Sequence, residues 1–364
     1  MVEIYGTLGP KCEDEKTLSA MFAEGMTGIR INLSHVMLKD CAERIKRIQR
    51  AAKENGINPK ILIDMQGPEI RIGSIEKMEL SEGESYVLGE SGIPVNHAVI
   101  DSFEVGDKIL LDDGRILAEV ERIRYQNSED RAVNNLSACG ESKGNSGSYL
   151  SADKNPKDRI VGSRSAVIRV SRGGWLTSRK SLAVVGKTID TPAMTESDMA
   201  NIKLARECGV TAVMQPFVRS VDDLIRVRKE LDGNGGKDIE IYAKIENMAG
   251  VNNLDTFFPY ADEIVIARGD LGNAMPLWEL PRVQKEIAKT CNETGKRFMV
   301  VTQMLSSMEH SMVPTRAEVS DIYNAVLDGA SSVMVTGETA VGDYPVEVVK
   351  YLKKTANAAD SMAF

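Results

Sequence analysis

The chain lacks the spacings that mark disulfide frameworks and soft-metal sites. Its five cysteines, at 12, 41, 139, 208 and 291, are scattered, and none forms a CxxC pair. An odd, scattered set argues against a disulfide framework and for a reducing cytosol. The three histidines add no ligand spacing, so zinc-type chemistry has no support. No apolar run approaches the roughly 18 residues that cross a bilayer. Glu3, Lys11 and Glu13 interrupt any signal-peptide pattern, so the expected location is cytoplasmic. An excess of positive charge is also missing. The net charge is -8 and the pI is near 5.2, which weighs against a nucleic-acid or anionic-membrane partner. Any anionic substrate must therefore be met by a local cluster of cations.

What is present is enough material for a large barrel and a smaller domain: 364 residues, 42% hydrophobic and 27% charged. Strand and helix patterns alternate at first. Val2–Thr7, Gly28–Leu33 and Lys60–Met65 read as strands, Asp14–Glu24 and Leu38–Asn55 as helices. This rhythm implies parallel β/α units. From about Ile72 to Val185 it stops. Short strand patterns such as Lys108–Leu111, Leu117–Ile123 and Ala166–Val170 are separated by turn signals, with Asp112-Asp113-Gly114 as a hairpin turn. Tyr125–Asp158 is rich in Ser, Asn, Gly and charge, and reads as a flexible loop, with a specific binding loop as the alternative.

The β/α rhythm returns at Thr195-Glu196-Ser197-Asp198, a helix cap pattern. Strand patterns follow at Thr211–Gln215, Ile239–Lys244, Glu263–Ala267, Phe298–Thr302 and Ser332–Val335, and Val346–Ala358 reads as a final helix. Three strands before the insertion and five after it give eight, the count of a (β/α)8 TIM barrel. The expected division is a barrel from 1–71 and 186–364, with a small inserted β-barrel-like lid at 72–185.

In such a barrel, chemistry sits at the carboxyl ends of the strands. Glu246 and Asp270 are two strand-end carboxylates suited to Mg²⁺ or Mn²⁺, which keep waters and take substrate oxygens. Alone, each also reads as a loop salt bridge. Lys244 shares a strand face with Glu246 and could stabilise charge on a phosphoryl group or an enolate, or serve as its structural partner. Gly269 and Asp270 open a segment whose N–H groups could hold a carboxylate, with the Thr302 hydroxyl beside them. Arg30, Asn32 and Ser34 alternate on one face; Arg30 is a phosphate fork, and Asn32, Ser34 and Asp64 are hard oxygen donors for a second cation.

Over nearly its whole length the chain resembles the pyruvate kinase family. The matching stretches are Gly9-Pro10, Arg30-Ile-Asn-Leu-Ser-His35, Gly67-Pro-Glu-Ile-Arg71, Leu111-Asp-Asp-Gly114, Lys244-Ile-Glu-Asn247 and Ala267-Arg-Gly-Asp-Leu-Gly272. Further on come Thr302-Gln-Met-Leu305, Pro314-Thr-Arg-Ala-Glu318, Asn324-Ala-Val-Leu-Asp-Gly-Ala330 and Gly337-Glu-Thr-Ala340. The resemblance implies phosphoryl transfer from phosphoenolpyruvate to ADP, giving pyruvate and ATP. It implies Mg²⁺ on Glu246 and Asp270. Lys244 and Arg30 would neutralise the moving phosphoryl group, and the carboxylate would rest on Gly269, Asp270 and Thr302. Asn32, Ser34, Asp64 and the Met65 carbonyl would take K⁺, and Pro10, His35, Arg71 and Lys180 would face the nucleotide.

The sequence departs from the family pattern in places. Asp-Thr-Lys-Gly-Pro reads Asp64-Met65-Gln66-Gly67-Pro68, so a cation near the phosphoryl site is missing. Glu69 goes with K⁺ dependence in the family, whereas Met65-Gln66 goes with its K⁺-independent branch. Pro216 replaces a small polar residue. No stretch matches the family's carboxyl-terminal regulatory domain, so a short form and a barrel-to-barrel homodimer are expected. The alternatives are a metal-dependent oxo-acid aldolase or lyase on the same barrel, which Gln66 favours, and a non-catalytic phosphoenolpyruvate or nucleotide sensor.

Overall fold

A computed structural model describes residues 1–34, 36–90, 92–125, 164–187, 189 and 191–361. The chain divides into two compact units: Met1–Glu69 with Asp190–Phe364, and Ile70–Ile189.

The first unit is built on eight parallel strands that close on themselves: β1 (Glu3–Thr7), β2 (Gly28–Asn32), β3 (Lys60–Asp64), β11 (Ala212–Gln215), β12 (Glu240–Ile245), β13 (Glu263–Ala267), β14 (Arg297–Val301) and β15 (Ser332–Met334). Each strand pairs with its neighbours in sequence order, and β1 closes on β15. Period-two alternation splits each strand between two cores. Ile29, Ile31, Ile61, Ile63, Val213 and Ile241 point out and pack with the helices. Tyr5, Leu62, Met214, Tyr242, Val265, Met299 and Met334 point in and fill the barrel.

The helices start where the caps specify. The helix Glu196–Ala205 begins at a capping box in which Thr195 and Asp198 satisfy each other's backbone amides. The long helix pattern from Leu38 resolves into a short 3-10 turn, Leu38–Asp40, and the helix Ala42–Glu54. The break follows from the first turn's separate anchor: Leu38 N–H donates to the buried Asn201 Oδ1 at 2.9 Å.

Among the described residues the second unit forms a five-stranded antiparallel sheet and a separate two-stranded antiparallel ribbon. Its strands are β4 (Met78–Leu80), β5 (Ser85–Leu88), β6 (Lys108–Leu111), β7 (Ile116–Tyr125), β8 (Arg164–Arg172), β9 (Gly174–Leu176) and β10 (Leu182–Val184). The β6–β7 turn is the one read at Asp112-Asp113-Gly114, with all three residues at positive φ. The loop reading for 125–158 lies, beyond Tyr125, outside the described residues.

The amino ends of the barrel strands carry a polar plug. Arg297 pairs with Glu3 at 2.8 Å and with Glu263 at 3.0 Å. Lys60 pairs with Glu240 at 3.1 Å. Tyr5 donates to Glu3 at 2.7 Å, and Tyr242 to Glu240 at 3.0 Å. Glu263 is fully buried and accepts from Ser332 at 2.5 Å.

Candidate active site

At the carboxyl ends of the same strands, alternation again turns polar side chains inward. Arg30 comes from β2, Asp64 from β3, and Lys244 and Glu246 from β12 and the residue after it. They form one chain of charges. Arg30 grips Asp64 Oδ2 with Nε at 2.8 Å and a terminal nitrogen at 2.7 Å. Lys244 Nζ lies 3.4 Å from both Asp64 oxygens and 2.9 Å from Glu246 Oε1. Two cations and two carboxylates balance locally, and all four side chains are at most 13% exposed.

Burial and pairing pull these groups in opposite directions. Burial alone would raise the Asp64 carboxyl, but the charges of Lys244 and Arg30 outweigh it and hold it below the ordinary aspartate value. Burial alone would lower the Lys244 ammonium, but Asp64 and Glu246 outweigh that and hold it above the ordinary lysine value.

The backbone is strained beside this chain. Phe217, Thr302 and Gln303 have φ of 51°, 80° and 55°. A β-branched residue in that region is rare, and each such residue costs on the order of 1–3 kcal/mol. Phe217 is held by the donation of its N–H to Glu246 Oε2 at 2.8 Å. Thr302 lies against Gly269, where an added Cβ would come within 3.1 Å of the Thr302 methyl. Gly269 and Asp270 open the short helix Arg268–Asn273 directly after β13, as the sequence places them.

The structure thus brings Arg30, Asp64, Lys244 and Glu246 together, and Gly269 against Thr302. Asn32 Oδ1 caps the Ser34 N–H at 3.1 Å. Pro10 shares with Arg30, Asn32, Val36 and Val341 the lining of a cavity of about 550 Å³. Arg71 and Lys180 belong to the second unit, where Arg71 donates to the Arg179 carbonyl at 2.9 Å and Lys180 pairs with Asp112 at 2.5 Å. His35 lies outside the described residues.

Sequence reasoning missed several groups. The sequence reading gives Asp64 as a cation donor, and the structure places it between Arg30 and Lys244. Asp198, fully buried, also accepts from the Gln66 and Gly67 amides at 2.7 and 3.0 Å and so holds the departing loop after β3. Glu338, 1% exposed, accepts from the Leu305 and Thr336 amides. A capping-box aspartate and an acidic residue inside a quoted motif were the available signals.

The donor set suits a hard divalent cation. Glu246 and Asp270 are hard oxygen donors, and among the described residues no group of three or more His, Cys, Asp or Glu side chains forms a closed metal cage. Coordination would then be completed by water and substrate oxygens.

Fold and site together define a (β/α)8-barrel protein with a charged, strained centre at its strand ends. The family model for the pyruvate kinase barrel domain matches residues 1–150 and 158–349. The chain is 37% identical to the pyruvate kinase of Geobacillus stearothermophilus over 97% of its own length and 56% of that protein. It is 35% identical to that of Bacillus licheniformis, over 98% and 57%. It is also 35% identical to that of Schizosaccharomyces pombe, over 98% and 66%. The chain belongs to the pyruvate kinase family, and it spans a little over half the length of the first two relatives.

Proposed function

We propose that the chain transfers a phosphoryl group from phosphoenolpyruvate to ADP, giving pyruvate and ATP. The observation that carries this reading is the Arg30–Asp64–Lys244–Glu246 chain at the strand ends, beside the Gly269–Thr302 contact. Phosphoryl transfer asks the protein for positioning and charge rather than covalent chemistry. Arg30 and Lys244 supply two fixed cations for the equatorial phosphoryl oxygens. Gly269 and Asp270 amides with the Thr302 hydroxyl orient the substrate carboxylate. The bond between phosphorus and the enol oxygen breaks as a β-phosphate oxygen of ADP bonds to phosphorus. The enolate left behind takes a proton from water at its methylene carbon, with Thr302 near that route.

Glu246 and Asp270 are the proposed Mg²⁺ or Mn²⁺ holders, and the bound cation would supply charge to the carboxylate, enol and phosphoryl oxygens. Asn32, Ser34, Asp64 and the Met65 carbonyl are the proposed K⁺ donors. Both Asp64 oxygens already face side-chain cations, so its share in such a site is the weakest of the four. The nucleotide roles of Pro10, His35, Arg71 and Lys180 rest on the family resemblance. A homodimer through barrel contacts and a cytoplasmic location belong to the same proposal; no helix among the described residues is long and apolar enough to cross a membrane.

The test is to incubate the purified chain with phosphoenolpyruvate, ADP and Mg²⁺, with and without K⁺, and follow pyruvate and ATP together. Equal amounts of both products support the reading. Pyruvate without ATP, or no product at all, overturns it.

A further inference from the structure

The most strained residue of the proposed carboxylate site is held by a side chain that the mechanism above does not use. Arg268 is the first residue after β13 and is 11% exposed. Its guanidinium crosses to the loop after β14 and forks onto the Thr302 carbonyl, with Nε at 3.1 Å and a terminal nitrogen at 2.7 Å. The other terminal nitrogen pairs with Asp321, on the helix Arg316–Leu327, at 2.7–2.8 Å. The fork also lies 3.0 Å from Met304 Sδ. The guanidinium is thus shared among the Thr302 carbonyl, the Asp321 carboxylate and Met304 Sδ.

Thr302 and Gln303 both stand at positive φ, a conformation that a free loop with these side chains would leave. Gly269 leaves room for the Thr302 side chain, since an added Cβ would stand 3.1 Å from its methyl. The next residue on the Arg268 side is thus the one that accepts Thr302, and Arg268 itself pulls the Thr302 carbonyl towards β13.

We propose that Arg268 is a positioning residue for Thr302. Its planar fork, braced by Asp321, holds the loop after β14 in the left-handed turn that sets the Thr302 side chain against Gly269. The site so formed takes a small α-oxo or α-enol carboxylate. A lysine carries the same charge but has no fork, so charge alone will not replace it.

This rests on the functional reading only for the identity of the carboxylate, and pyruvate binding separates the two. The experiment compares the parent chain with Arg268→Lys, Thr302→Ala and the double variant. Pyruvate affinity is measured by calorimetry in Mg²⁺, and kcat and KM are measured for phosphoenolpyruvate and ADP. Arg268→Lys should weaken pyruvate binding about tenfold and raise KM for phosphoenolpyruvate, with KM for ADP within about twofold. In the Thr302→Ala background the same change should do nothing further. Asp321→Asn, which loosens the fork from behind, should give a smaller loss of the same kind and serves if Arg268→Lys does not fold. Pyruvate affinity within twofold of the parent, losses that add, or a parent that binds no pyruvate would overturn the proposal. A parent that binds pyruvate but makes no ATP would sink the kinase reading while Arg268 keeps its role.

Discussion

The two ends of the barrel carry similar side chains and use them differently. The amino end places Glu3, Glu240 and Glu263 with Lys60 and Arg297, and closes them with the Tyr5 and Tyr242 hydroxyls. The carboxyl end places Asp64 and Glu246 with Arg30 and Lys244. At the amino end burial outweighs the Arg297 charge and the Ser332 hydrogen bond and holds the Glu263 carboxyl above the ordinary glutamate value. At the carboxyl end the charges balance, and Asp64 is held down in its ionised form. The strained backbone of the barrel unit, at Phe217, Thr302 and Gln303, lies at the carboxyl end. Backbone strain beside a carboxylate held down by paired cations marks a functional site, whereas the paired charges at the amino end brace the strand starts.

The sharpest way to break this comparison is at Glu246. Glu246→Gln keeps the shape and the Phe217 contact but removes the charge that faces Lys244. Turnover should fall by roughly three orders of magnitude, and calorimetric Mg²⁺ binding should be lost. Turnover within tenfold of the parent would remove Glu246 from the proposed metal site. Stripping the parent with a chelator should likewise abolish turnover, and added Mg²⁺ should restore it.

A smaller effect is expected at Gly67, where φ is +62° and an added Cβ would lie 2.2 Å from Pro216 Cγ. Gly67→Ala should lower unfolding free energy by about 2 kcal/mol through strain and overlap. The loss should shrink in a Pro216→Ala background, because the overlap is with the Pro216 ring. Equal losses in both backgrounds, by chemical denaturation, would show that the contact is not what matters.

The smallest effect is the pH response, and its sign differs between the ends. Glu263 has a folded pKa above the ordinary 4.5, so its contribution is present below that value and lost as pH rises through the folded pKa. Asp64 has a folded pKa below the ordinary 3.8, so its contribution is present above that value and lost as pH falls through the folded pKa. Denaturation of Glu263→Gln across pH should flatten the loss on the rising side, and Asp64→Asn the loss on the falling side. A single shared profile would contradict the contrast.

Much of this was legible in the sequence. Eight strand patterns with helical patterns between them, and the cap at Thr195, read directly from periodicity and local chemistry. Lys244 and Glu246 could be put on one face because strands alternate. Asp64 could not be seen as their counter-ion, because that depends on which strand closes against which. Nor do the charges at the strand starts announce a plug; Glu3, Lys60, Glu263 and Arg297 each look solvated until the barrel closes. Thr302 gives no sign of its left-handed backbone, since nothing in Val301-Thr302-Gln303 favours it and the group that grips its carbonyl, Arg268, comes from another strand end.

The most direct test exchanges one lysine at each end for methionine and reads turnover and Tm together. Lys244→Met should lose at least three orders of magnitude in turnover and still fold cooperatively. Lys60→Met should keep turnover within about twofold and lower Tm, because it strips a cation from Glu3 and Glu240. Similar turnover in the two variants would contradict the division of the barrel into a chemical end and a stabilising one.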